Sequence, residues 1–194
     1  MYMEIRFANE NDNKKEIAEL FYKVDPYIYP YWFNNDMGKG ISTLTSLLED
    51  KNSIFTYENC IIAKDGGKII GLFSFVPYNK KINKDYSRWD VSFEAHHVIT
   101  YYVLDVVENL KEDDVCVLGL YVDPSYRRKN IATKMFNFFF KNVKSKTYSL
   151  EVLANNLPAL NLYNKLNFEI SKSYNGYNGY KKRKPLCYVM TRMA

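Results

Sequence analysis

The sequence predicts an α/β fold in which a central sheet of six to seven strands is flanked by helices. Two observations predict it. Short strand-like runs alternate with stretches of helical period along the 194 residues. One segment, Val115 to Phe140, also joins both patterns in a form suited to an anion. It opens with an apolar run, Val115 to Val122, and turns at Asp123-Pro124-Ser125. It passes a basic loop, Arg127-Arg128-Lys129-Asn130. Apolar residues then recur as Ile131, Met135, Phe139 and Ala132, Phe136, Phe140. The reading is buried strand, tight turn, basic loop and helix start. Free backbone N–H groups at a helix N-terminus attract anions, and basic neighbours raise the local potential. This segment is built to hold a phosphate group.

Each element can be justified in order. Met3 to Ala8 alternates as a first strand. Asn11-Asp12-Asn13 offers N-caps for a helix over Lys14 to Val24, with Ile17, Leu20, Phe21 and Val24 as its core stripe. Asp25 to Phe33 holds two prolines in an aromatic run and reads as a rigid loop. Asp36 to Asp50 reads as a second helix with Ile41, Leu44, Leu47 and Leu48 inward. Cys60 to Ala63 and Ile69 to Val76 are strands joined by Asp65-Gly66-Gly67, a hairpin signal. Pro77 to Trp89 is a polar, basic loop. Ala95, Val98, Ile99, Tyr102, Val106 and Leu110 follow a helical period. Glu94, His97, Tyr101, Asp105 and Glu108 share another face of that helix. Tyr148 to Leu153 is a strand. Asn156 then caps a helix with Pro158 in its first turn. Phe168 to Tyr174 and Leu186 to Thr191 close the sheet. The Asn-Gly pairs between them are turn signals, and Lys181-Lys182-Arg183-Lys184 reads as a solvated hairpin tip.

Bulk properties exclude several classes. Hydrophobic residues make up 47% and charged residues 25%, as in ordinary globular chains. The net charge of +5 fits an anionic cofactor or nucleic acid but is modest, and a solvated surface with one anion pocket is the preferred reading over a nucleic-acid partner. Cys60, Cys116 and Cys187 are far apart with no C-x-x-C pair, so neither a disulfide framework nor a zinc site is expected. His96 and His97 are the only histidines, and no metal is expected. The N-terminus shows no signal-peptide pattern, and no apolar run reaches about 18 residues. A cytoplasmic protein without a membrane segment is the expectation, and no repeat or linker suggests a second domain.

The residues at two places resemble the GNAT superfamily of N-acetyltransferases. Val122-Asp123-Pro124 followed by Tyr126 to Ala132 resembles its acetyl-CoA-binding motif, Arg/Gln-x-x-Gly-x-Gly/Ala after a V-x-P turn. Here it reads Arg127-x-x-Asn130-x-Ala132. Asn130 replaces the usual Gly, and Arg128 stands where many members have another. Asn tolerates left-handed backbone best after Gly. Asn156-x-x-Ala159 followed by Leu162-Tyr163-x-Lys165-Leu166-Asn167-Phe168 resembles the second motif, N-x-x-A…Y-x-K-x-G-F. Asn167 again stands for Gly, at a helix C-cap.

The resemblance implies a mixed, mostly antiparallel sheet and one acetyltransferase domain over residues 1–194. The helix around 90–110 is then an insertion. It implies acetyl-CoA as cosubstrate and a small-molecule or peptide amine as acceptor. The pantetheine arm would pair with the main chain of Leu120, Tyr121 and Val122. The diphosphate would sit on Arg127, Arg128, Lys129, Asn130, Ile131, Ala132 and Thr133. Asn156 would bond the pantetheine arm, and a main-chain N–H near Leu120 would meet the developing oxyanion. Tyr163 would be the general acid for the leaving thiolate. The general base stays open between Glu94, His97 and a water chain, with Tyr101 also a candidate. The aromatic Asp25–Phe33 segment would border the acceptor. The rival readings are a non-catalytic acyl-CoA-binding or sensing module and a basic nucleic-acid-binding protein. A homodimer is left open.

Overall fold

A computed structural model describes residues 3–78, 91, 110–175 and 186–194. Strand β1 (Met3–Phe7) leads through an Asx-capped turn into helix α1 (Lys14–Val24), whose N-cap Asn13 accepts from the Glu16 N–H. Helix α2 (Ile28–Trp32) is short, and helix α3 (Met37–Glu49) is capped by Asp36. Strands β2 (Cys60–Asp65) and β3 (Lys68–Pro77) form the expected hairpin, with Gly66 and Gly67 at φ 56° and 88°. That double left-handed turn is open to glycine at no steric cost. Strand β4 (Asp114–Val122), helix α4 (Ile131–Asn142), strand β5 (Thr147–Leu153) and helix α5 (Leu157–Lys165) follow. Strands β6 (Glu169–Asn175) and β7 (Leu186–Met193) complete the sheet.

One expectation is corrected here. The Asp25–Phe33 run is not wholly a loop, because α2 forms within it. Pro30 is admitted because it lies in the first turn, where a missing N–H costs no helical bond. The Asp25 carboxylate accepts from the N–H groups of Tyr27 and Ile28 at 2.7 and 2.9 Å. The inserted helix expected over 90–110, with Glu94, His97 and Tyr101, lies outside the described residues, as does the Lys181–Lys184 tip.

Among the described residues the sheet has seven strands in the order β1-β2-β3-β4-β5-β7-β6. Every neighbouring pair is antiparallel except β4 and β5. Helices α1 to α3 cover one face through Ile17, Phe21, Trp32, Leu44 and Leu48. Helix α4 covers the other through Met135, Phe136 and Phe139. Phe136 makes edge contacts with Phe73, Tyr163 and Phe168 at centroid distances of 4.8, 5.9 and 5.9 Å. Truncating such a ring costs roughly 3–5 kcal/mol. The helix that follows the basic Arg127–Asn130 loop is therefore fixed to the sheet by its aromatic underside.

An ion cluster ties β1 to α1. Arg6 grips Asp12 in a two-pronged pair, with both N–O distances at 2.7 Å. Lys64 stands 3.6 Å from the same carboxylate, whose side chain is 3% exposed. The Asn9 N–H also donates to it at 2.8 Å. The Arg6 bond outweighs the burial that opposes it and holds the Asp12 carboxyl at about 2. A depressed carboxyl stabilises the fold above its ordinary value of 3.8 and loses that contribution as pH falls toward 2. Asp12→Asn should therefore lower the unfolding free energy by roughly 2 kcal/mol at pH 7. Urea titrations should show that deficit closing between about pH 4 and pH 2.

Candidate active site

The strand register creates the site. β3 accompanies β4 along its length, from Pro77 opposite Val115 to Gly71 opposite Val122. β7 accompanies β5 from Met193 opposite Thr147 to Cys187 opposite Leu153. β4 and β5 pair with each other only from Asp114 opposite Thr147 to Val117 opposite Leu150. Beyond that point the two halves of the sheet diverge. The cause sits in β4: Ser74 pairs with Gly119 and Phe75 with Val117, so Leu118 is an extra residue. Such a bulge bends its strand and strengthens the local twist. Among the described residues, the edge of Leu118–Val122 that would face β5 has no strand partner.

The loop after β4 runs toward the open side of this wedge. Asp123 accepts from the Ser125 N–H at 3.0 Å and shapes the turn. Arg127 Nε donates to the Val122 carbonyl at 3.0 Å, and its guanidinium lies 5.7 Å from the Tyr121 ring centre. Lys129 Nζ lies 4.9 Å from the Tyr126 ring centre. Arg128 and Asn130 adopt left-handed backbone, with φ 61° and 59°. These are the positions at which the family pattern favours Gly, so the loop keeps its shape and the side chains bear the cost. Asn130 makes no side-chain cap, and the first bond of α4 runs from the Lys134 N–H to the Asn130 carbonyl. The N–H groups of Ile131, Ala132 and Thr133 are left without helical partners. A diphosphate fits this arrangement by charge and by donor supply.

Helix α5 closes the wedge from the β5 side. Asn156 caps it, accepting from the Ala159 N–H at a long 3.4 Å. At the other end the Phe168 N–H reaches the Tyr163 carbonyl and the Asn167 N–H reaches the Asn164 carbonyl, with Asn167 at φ 61°. This is a Schellman cap, with its apolar contact made by the Tyr163 and Phe168 rings, 6.0 Å apart. Tyr163 is thus positioned by the cap and by Phe136. It is 8% exposed and lines the channel, and burial pushes its phenol up to about 12. The phenol stays protonated across working pH.

The channel continues past the bulge to the opposite side of the sheet. There it is bordered by Val24, Pro26, Tyr27, Tyr29 and Trp32 from α1, α2 and their joint. Burial raises the Tyr22 and Tyr29 phenols, so both remain neutral. Two site residues were not picked out from sequence. Glu151 lies on the channel side of β5, between the buried Leu150 and Val152. Strict alternation in Tyr148–Leu153 carried that signal. Gly119 marks the bulge, and an isolated Gly inside a strand pattern is the usual sign of one.

The pattern of the acetyltransferase (GNAT) family matches residues 31–168. The chain belongs to that family, which takes its acetyl group from acetyl-CoA. It is 40% identical over 65 residues to an N-alpha-acetyltransferase of Saccharolobus solfataricus, covering 31% of this chain and 39% of that protein. An N-acetyltransferase of Staphylococcus aureus Mu50 superposes with a TM-score of 0.73 at 19% identity, covering 97% of this chain and 100% of that one. The yncA structure of Salmonella typhimurium, solved with its cofactor acetyl-CoA, gives 0.58 at 15% identity over 98% of this chain and 93% of that one. At these identities the two structures agree with this chain in fold.

The left-handed loop makes a stability prediction. At φ 61° position 128 admits Gly freely and strains any residue with a Cβ. Arg128→Gly should exceed Arg128→Ala in unfolding free energy by roughly 1 kcal/mol, the reverse of their order in a helix. Paired denaturant titrations of the ligand-free variants measure this difference.

Proposed function

We propose that the protein transfers the acetyl group of acetyl-CoA to a primary amine through one acetyltransferase domain spanning residues 1–194. The observation that carries this reading is the edge of Leu118–Val122, without a strand partner among the described residues, beside the N-terminus of α4. A strand edge can pair with the amides of an extended arm as a peptide adds to a sheet. The α4 N–H groups and Arg128 receive phosphates, and Asn156 offers its side-chain amide to the arm.

Acetyl-CoA supplies a thioester-activated acetyl group. The chain's own groups do the rest. A main-chain N–H of the bulge, within Leu118–Leu120, donates to a carbonyl oxygen as negative charge develops there. The Glu151 carboxylate takes a proton from the acceptor's ammonium, directly or through one water, and the neutral amine so formed attacks the acetyl carbon. Tyr163 holds a proton at its phenol oxygen for the departing thiolate. The burial that raises this phenol would raise a thiol in the same place, which narrows the gap between donor and acceptor. The Pro26–Trp32 wall favours an amine carried on an apolar or aromatic body. The N-alpha-acetyltransferase relative makes a peptide α-amine the first class to try.

Free-thiol release with an amine panel, followed by mass spectrometry of the product, tests the activity. Tyr163→Phe keeps the ring and its packing and removes the proton. It should lower kcat by roughly 10²-fold with little change in acetyl-CoA affinity. An unchanged kcat under conditions where chemistry limits the rate would return Tyr163 to the core. Glu151→Gln should cost on the order of tenfold or more in kcat/KM near neutral pH. That loss should shrink as rising pH supplies the neutral amine. A loss independent of pH would remove Glu151 from proton transfer.

A further inference from the structure

We infer that the contact between Gly119 and Val24 sets how closely the acceptor wall approaches the catalytic strand, making Gly119 a specificity-determining position. The inference rests on the acetyl-transfer reading of the wedge. Gly119 directly follows the extra residue of the bulge and pairs with Ser74. A Cβ placed on Gly119 would lie 2.7 Å from Val24 Cγ1, and 3.4 Å from both Val24 Cγ2 and Ser74 Oγ. Carbon atoms rest at about 3.5–4.0 Å, so an added methyl would need roughly 1 Å of retreat. The backbone at Gly119 is not left-handed, so alanine is conformationally admitted there and space alone decides.

That retreat can come from only one side. Gly119 lies on β4, held by β3 along its whole length, and Ser74 is 1% exposed within β3. The body of α1 is also fixed: Ile17, Ala18 and Phe21 are fully buried, and the Glu16 carboxylate accepts from the Ile69 N–H at 2.9 Å. Val24 is the last residue of α1. The next residue, Asp25, holds the N–H groups of Tyr27 and Ile28 and so carries the start of the acceptor wall with it. Pressure at Gly119 is therefore transmitted through the last turn of α1 to Pro26–Tyr29. The absent side chain lets this wall close onto the wedge at the point where the amine must meet the acetyl carbon. A retreat of that size loosens the acceptor while leaving the free edge of β4 and the α4 N-terminus in place. Displacements near 1 Å can cost about 10²-fold in rate.

The test uses the full chain with Gly119→Ala, Val24→Ala and the double substitution. Steady-state kinetics on small and bulky amines is combined with calorimetric acetyl-CoA binding. Gly119→Ala should raise KM for small amines on the order of tenfold and shift preference toward bulkier ones, with acetyl-CoA affinity within about twofold of the parent. Adding Val24→Ala empties the space the new methyl needs. It should return the KM and the amine preference most of the way. An unchanged KM in Gly119→Ala, a KM defect that Val24→Ala does not relieve, or an equal loss of acetyl-CoA affinity would each overturn the inference. A parent protein that neither binds acetyl-CoA nor releases thiol would overturn the acetyl-transfer reading instead. The contact itself is then still tested by melting temperature: Gly119→Ala should lower it, and Val24→Ala should recover part of the loss.

Discussion

The structure depends on a parting of two neighbouring strands. β4 and β5 begin as a parallel pair and separate after Val117 and Leu150. A sheet resists such a split, because each unpaired backbone group would have to find another partner or water. Here the split is stabilised from both sides. β3 holds β4, and β7 holds β5, over their full lengths. The bulge at Leu118 turns β4 away without breaking its ladder to β3. The free edge is thus a feature of the native sheet, kept open by the surrounding packing and suited to a ligand that brings its own amides.

Both jaws of the wedge are set by aromatic packing and by unusual helix ends. The rings of Phe73, Phe136, Tyr163 and Phe168 form a continuous set of contacts linking β3, α4 and α5. The basic loop before α4 and the buried Tyr163 phenol therefore share one support. Three left-handed positions shape helix ends: Arg128 and Asn130 lead into α4, and Asn167 ends α5. Asn is the side chain that bears this conformation with least cost after Gly. Arg128 bears it less well, yet it adds a cation beside the α4 N–H groups. Strain held at a binding loop is a recurrent price of pre-shaped recognition.

Much of this was legible in the sequence. The helix over Lys14–Val24 follows from its apolar period and its Asn13 cap, and the β2–β3 hairpin from Gly66-Gly67. The strand, turn and helix start follow from the apolar run, the Pro124 turn and the helical period from Ile131. The two short motifs add the family. What was not legible depended on long-range pairing. The length of the β4–β5 ladder cannot be read from either strand alone, so Leu118 could not be identified as an extra residue. Glu151 stood in the alternating pattern, but its face acquires meaning only once β5 is known to border the wedge. Helix α2 was missed because two prolines in nine residues argue for a loop, while the Asp25 carboxylate and the position of Pro30 allow one short turn.

The function proposed above requires acetyl-CoA to fill the free edge of β4 and the N-terminus of α4. Amide hydrogen exchange with and without acetyl-CoA tests it residue by residue. New protection is expected at the alternate amides of Leu118–Val122 that face β5, and at Ile131, Ala132 and Thr133. The β4 amides already bonded to β3 should change little. Protection confined to other surfaces, or none at saturating acetyl-CoA, would contradict it.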